Sequence, residues 1–137
     1  MSIGEEQGDV SLAVLERGPG YADGLLKRTK SFALTVIRLY SSLPNDTLSR
    51  TLGRQATRSG TSVGAHYREA SRGRSTAEFI SKLEVGLQEL EETCYWHELM
   101  AESGVVEPDA VAPILDEAEE LKRIFVASVK KAKQRRK

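Results

Sequence analysis

Arg54-Gln-Ala-Thr-Arg58-Ser-Gly-Thr-Ser-Val-Gly-Ala-His66-Tyr-Arg68-Glu-Ala70 carries only two larger apolar side chains, Val63 and Tyr67. Small residues stand where Leu or Ile would ordinarily build the buried stripe of a helix, and arginines recur on the other side. At 100° per residue, Leu48, Leu52, Ser59, Val63, His66 and Ala70 gather on one face of a helix over 47–70. Arg50, Arg54, Arg58, Arg68 and Arg72 fall within about 80° of one another on the opposite face. Ser49, Gly53, Gly60, Gly64 and Tyr67 form a strip between the two. Glycine inside a helix costs about 1 kcal/mol relative to alanine, so three on one strip call for a packing reason. A second helix crossing at short distance supplies one. The stretch points to assembly and to an anionic partner, and to no reaction.

The flanks complete a helical pattern. Upstream, Leu25, Phe32, Val36, Leu39 and Leu43 recur at spacings of three and four and predict a helix over 21–43. Pro44-Asn45-Asp46 ends it, with Asp46 placed to cap the next helix. Downstream, Ser75-Thr-Ala-Glu78 is a capping box, and Gly104 is a natural left-handed terminator, which predicts a helix over 75–103. Its core stripe is Phe79, Leu83, Leu90, Cys94, His97 and Ala101, while Val85, Trp96 and Leu99 form an apolar patch on the far side. A fourth helix begins near Asp109, which keeps Pro113 close to its first turn, and carries Val111, Ile114, Leu115, Ala118, Leu121, Phe125 and Val129. With short connections and no strand pattern, the fold class is all-α, an antiparallel up-down-up-down four-helix bundle. The bundle is expected over 21–132, after a flexible or weakly helical arm at 1–20 and before a basic tail at 133–137.

A chain of 137 residues is one domain of ordinary size. One cysteine forms no internal disulfide, the N-terminus lacks a basic and apolar leader, and no apolar run reaches bilayer length. These features predict a cytoplasmic protein with no membrane partner. Formal net charge is zero, but it is not evenly mixed. Residues 47–74 hold six arginines and one acid, residues 75–121 hold thirteen acids and one base, and the tail from Lys122 onward holds eight bases and no acid. The blocks can pair with one another across a bundle or between subunits.

Catalytic and metal chemistry find little support. Di-iron bundles need Glu-x-x-His on two helices, whereas Val63 stands three residues before His66 and Cys94 three before His97. Two histidines also support a zinc site poorly. Cys94 and His97 are close enough for a nucleophile pair, but both fall on the core stripe, where cysteine is commonly inert. His66 faces the same core, where a polar tether to the third helix is expected. No catalytic residue, metal or cofactor is assigned. The arginine face of Arg50, Arg54, Arg58, Arg68 and Arg72 can follow a phosphate backbone or pair with glutamates. It lacks interleaved aromatic residues, so nucleic-acid binding there is driven by shape and charge and not by base identity.

Arg58-Ser-Gly-Thr-Ser-Val-Gly-Ala-His-Tyr-Arg-Glu-Ala70 resembles the second-helix signature of a bacterial four-helix-bundle family that includes products of intervening sequences in large-subunit ribosomal RNA genes. Ser75 with Glu78-Phe79 and Lys82-Leu83, then Glu91-Glu-Thr-Cys-Tyr95-Trp96-His-Glu98-Leu99, resemble its third-helix pattern. The resemblance covers about residues 25–130, with His66 standing where that family usually has asparagine. It implies an antiparallel bundle that assembles into a ring, commonly a pentamer, with no established activity for most members. A distant relative of similar shape, the accessory protein of diversity-generating retroelements, binds a reverse transcriptase and RNA. The resulting expectation is a non-enzymatic homo-oligomer whose arginine face binds RNA or a nucleic-acid-processing protein. Gly53, Gly60, Gly64, Val85, Trp96 and Leu99 are expected at the contact between subunits. The alternative is a scaffold whose arginines pair with the glutamates of a neighbouring protomer.

Overall fold

The computed structural model describes the backbone of residues 21–136 and the side chains of residues 24–135. The expectation for the arm at 1–20 lies outside the described residues. Four helices follow in order: α1 (Tyr21–Ser41), α2 (Thr47–Ser71), α3 (Thr76–Glu102) and α4 (Pro108–Arg136). The described residues contain no strand.

Each boundary has a local cause. Asp46 is extended and accepts the Ser49 amide at 2.9 Å, capping α2. Ser75 caps α3 by accepting the Glu78 amide at 3.1 Å. The return half of the capping box is shifted by one residue, since the Glu78 carboxylate accepts from the amide of Arg74 at 3.0 Å, not from that of Ser75. Gly104 takes φ 83°, and the amides of Gly104 and Val105 donate to the carbonyls of Ala101 and Met100, a Schellman closure. Pro108 opens α4, where its missing N–H has no helical acceptor to lose. Pro113 lies beyond the first turn but is exposed, and the Asp109 residue whose carbonyl it leaves free is exposed too. The expected tail from 133 is not separate, because α4 continues through Arg136.

Contacts across the seams establish the direction of each helix. Tyr40, Val36 and Thr29 of α1 meet Gly53, Gly60 and Gly64 of α2 in reverse order. Arg58 and Glu69 of α2 meet Glu89 and Lys82 of α3, and Glu84 and Glu91 of α3 meet Lys133 and Lys122 of α4. All three seams are antiparallel. α2 packs most extensively on α3, whereas α1 and α4 touch over a short stretch. There Arg28 donates to Glu117 at 2.6 and 2.9 Å and to Glu120 at 2.6 Å.

The main core joins all four helices and includes Leu25, Phe32, Val36, Val63, Tyr67, Leu83, Leu90, Leu121 and Phe125. Full burial of a side chain such as Leu83 or Leu90 contributes about 1.5–3 kcal/mol. Tyr67, expected at the border of α2's core face, is instead 1 % exposed and stacks obliquely on Phe125 at 5.8 Å. A second, smaller cluster of Leu52, Ala56 and Met100 closes one end of the bundle. Leu48 does not join it and is 50 % exposed, because it sits in the opening turn of α2 where the bundle ends.

The three glycines do their work inside the chain. A Cβ on Gly60 would stand 3.0 Å from both γ-carbons of Val36, and one on Gly64 would stand 3.3 Å from Thr29 Oγ1. At Gly53 it would run into the Tyr40 ring and reach within 2.8 Å of Leu43. These glycines, expected between subunits, stand against α1 of the same chain. The close approach is real, but it is intramolecular.

Candidate functional site

With one flank of α2 given to α1 and the other to α3, the arginines are left on its outer edge. Arg50, Arg54 and Arg68 lie within about 40° of one another around the helix, Arg72 follows them as its C-cap, and Arg58 lies about 40° further towards α3. That difference separates their environments. Arg58 donates to Glu89 at 3.3 Å and also to Glu92, both on α3. Among the described residues, Arg50 donates only to the side-chain oxygen of Asn45, at 2.8 Å. Arg54, Arg68 and Arg72 are exposed and have no ion pair among the described residues. Of the five arginines read as one surface, four form a row and one closes a seam.

The rest of the α2–α3 seam continues from Arg58. His66 Nε2 lies 4.0 Å from Glu89, and Nδ1 lies 3.5 Å from Glu69 at an angle that makes no hydrogen bond. Lys82 reaches Glu69 at 3.0 Å and holds that carboxyl below the usual range. His66 is therefore half-buried in a polar seam and is not a core residue, because Glu69 and Glu89 draw its ring to the surface. The tether to α3 exists only as this long contact with Glu89.

Most acids near the bundle's middle are engaged in the same way. Lys122 lies 2.7 Å from Glu119 and 3.3 Å from Glu91, and Lys133 lies 3.3 Å from Glu84. Arg28 holds Glu120 below its usual range and has its own charged state further stabilised by Glu117 and Glu120. The charge blocks of the sequence thus cancel along the seams and leave the outer edge of α2 uncancelled. No acid of α2 lies on that edge, since Glu69, the helix's one carboxylate, turns to α3.

Between the two arginine pairs, the line of the row carries only small side chains, with Arg58 to its α3 side held by Glu89 and Glu92. Thr61, Gly64, Ala65 and Arg68 line a groove of about 350 Å³ with Leu26, Thr29, Lys30 and Ala33 of α1. Lys30 thereby joins the site as a fifth cation. Nothing in its sequence position marks it, since an exposed lysine on α1 acquires meaning only from α1's placement beside Arg68.

Cys94 and His97 lie in the core, 6 % and 0 % exposed. Burial pushes the Cys94 thiol up and the His97 imidazole down, so both neutral forms are favoured. His97 Nδ1 donates to the Thr93 carbonyl at 2.7 Å, and Thr93 donates onward within the core (its hydroxyl lies 2.9 Å from Ser59 Oγ). A buried thiol beside an imidazole bound to a carbonyl is no nucleophile pair. Val85, Trp96 and Leu99, expected at a subunit contact, are all partly buried. Trp96 and Leu99 pack against the second core cluster, and Trp96 meets the ring of Tyr95 edge-on at 5.1 Å. Tyr95, part of the third-helix pattern but not among the expected interface residues, is the more exposed of the two rings at 54 %. No helix among the described residues is long and apolar enough to cross a membrane.

Comparison with known proteins agrees with this architecture. Residues 24–127 match the family model described as 23S rRNA-intervening sequence protein. A crystal structure from Bacteroides thetaiotaomicron, of a protein with unknown function from the S23 ribosomal protein family, is similar with a TM-score of 0.74 and 31% identity. The match covers 80% of this chain and 97% of that one. No curated protein matches.

Proposed function

This chain belongs to the 23S rRNA-intervening sequence protein family, and on that premise we propose that it is a non-enzymatic, ring-forming bundle that binds RNA in the cytoplasm through the arginine row of α2. The observation that carries this reading is the contrast among its charges. Arg28, Arg58, Lys82, Lys122 and Lys133 each have a carboxylate partner, while Arg54, Arg68 and Arg72 have none among the described residues. Guanidinium groups left in water along one edge suit phosphate, which they bind through two parallel hydrogen bonds. The family's description, which names an intervening sequence of 23S rRNA, makes RNA the polyanion to test first.

The assembly in this reading is a ring of five copies, close to 75 kDa given a chain of 15.1 kDa. A ring needs two different patches that meet head to tail. Exposed Leu34 and Ile37 on α1 and Val126 on α4 supply apolar candidates beside Tyr95.

Binding of the full-length protein to a mixed-sequence RNA, followed by anisotropy at two salt concentrations, tests the proposal. Four phosphate contacts correspond to a loss of about 100-fold between 50 and 200 mM salt. Equal retention at both concentrations, or none at either, would refute it. The pairing of Arg58 with Glu89 and Glu92 favours a second reading, in which the arginines bind the acidic helix of a neighbouring protomer. Charge reversal of Arg54 and Arg58 then dissociates the ring in sedimentation, whereas under the RNA reading the ring stays intact and RNA affinity falls.

A further inference from the structure

Resting on the RNA reading above, we propose that the ligand of the arginine row is a double-stranded, A-form RNA of at least one helical turn, and not a single strand. The row has Arg50 and Arg54, four apart near the start of a helix without proline, at one end, and Arg68 with Arg72, the residue that caps the helix, at the other. Their midpoints are 18 residues apart, which corresponds to about 27 Å at 1.5 Å per residue. Packing of α1 on one flank of α2 and α3 on the other fixes that separation. It falls short of the ~34–36 Å turn of B-form DNA and suits the more compressed turn of an A-form duplex. Each pair would grip the same strand on successive turns.

A line along a duplex that meets one strand twice must cross the other strand in between. The middle of the row accommodates such a ridge. Thr57, Thr61, Gly64 and Ala65 stand there, and none is larger than threonine. Lys30 flanks this saddle from α1 and faces the same groove as Arg68. Cations at both ends with small side chains between them form the complement of a double helix's profile.

A single strand finds less here. Proteins that hold single strands stack successive bases on exposed aromatic rings. On this face the one aromatic residue of α2, Tyr67, is 1 % exposed, and Tyr40 of α1 is packed over Gly53. Among the described residues the exposed ring, Tyr95, is on α3. Phosphate contacts alone remain, and a rigid row serves a rigid polyanion best, because a flexible strand must first be ordered to match it.

The test uses the full-length protein and four labelled probes in anisotropy at ~150 mM salt: a 20-bp RNA duplex, one of its single strands, the same duplex as DNA, and a 6-bp RNA stem. The long RNA duplex is expected to bind at least ~10-fold tighter than each of the others, with a salt slope that falls by about one in Arg54→Ala and again in Arg68→Ala. Both arginines are exposed and alanine favours helix, so the fold is retained and is checked by circular dichroism. Equal or tighter binding of the single strand overturns the duplex assignment and leaves the RNA reading standing. Equal binding of the DNA duplex overturns the A-form assignment, and equal binding of the short stem overturns the bridging of two pairs. No binding to any RNA even at ~50 mM salt overturns this inference and the RNA reading together.

Discussion

Gly60→Ala probes the approach of α1 to α2 on which the whole arrangement of α2 depends. In an open helix this exchange gains about 0.5–1 kcal/mol, because alanine restricts the unfolded chain. Here the new Cβ would meet both γ-carbons of Val36 at 3.0 Å and its β-carbon at 3.2 Å. Val36 is β-branched and 1 % exposed, so it has no alternative rotamer to retreat into and α1 itself must move. Overpacking of this kind costs about 1–3 kcal/mol, which leaves a net loss near 1 kcal/mol. Gly24→Ala is the internal control, since a Cβ there meets nothing within 4 Å and the full gain should appear. Gly64→Ala should fall between, with its nearest contact at 3.3 Å to the Thr29 hydroxyl. Urea denaturation at one fixed protein concentration, needed because association adds to apparent stability, should rank the midpoints in that order. Gain of stability by Gly60→Ala equal to that of Gly24→Ala would refute the intramolecular packing. Dissociation of the proposed ring by Gly60→Ala, with no change in the stability of the monomer, would return the glycines to a subunit contact.

Three further outcomes follow from the buried and paired groups. His97 is held neutral by burial, so the unfolded chain takes up a proton that the folded chain resists. Stability is therefore complete above its ordinary value of about pH 6.5 and declines as pH falls below it; urea midpoints at successive pH values should decline less steeply in His97→Gln. Cys94 is buried with its thiol pushed up, so a thiol reagent at neutral pH should label it slowly in the native protein and rapidly in denaturant; equal rates would contradict the burial. Arg58→Ala breaks a largely exposed pairing with Glu89 and Glu92, and should cost no more than ~1 kcal/mol in urea denaturation while leaving RNA affinity within about twofold.

The four helices were legible because their apolar residues keep the helical period and their ends carry local chemistry that works at short range. Asp46, Ser75, Gly104 and Pro108 act through neighbours a few residues away, so the sequence displays both partners. What remained hidden depends on which neighbour each flank of α2 receives. Nothing in the order of residues says whether Gly53, Gly60 and Gly64 face α1 of the same chain or a second copy, since a close approach requires glycine in both cases. Placement of His66 failed for a related reason. It lies at the edge of the apolar face, and the acids that draw it outward, Glu69 and Glu89, sit on two different helices. Lys30 became part of the site only through the antiparallel register that sets Thr29 against Gly64.

That register also explains why the arginines form two pairs and not a continuous band. A residue around Arg58's direction on α2 meets α3, and one around Gly64's direction meets α1, so only a narrow outer edge is free of neighbours. Along that edge, helical geometry returns to the same line at Arg50, Arg54, Thr61 and Arg68, and Arg72 follows as the C-cap. Thr61, in the middle, donates its hydroxyl to the Thr57 carbonyl at 2.8 Å and keeps the center of the row low. An arginine at 61 would fill the saddle with charge and make the edge uniform. The two readings of α2 therefore separate at this residue. Under the duplex reading, Thr61→Arg blocks the ridge of the second strand and weakens binding to a 20-bp RNA despite the added positive charge. Under a reading in which any polyanion is held by charge alone, the same substitution strengthens binding and steepens its salt dependence by about one unit of slope.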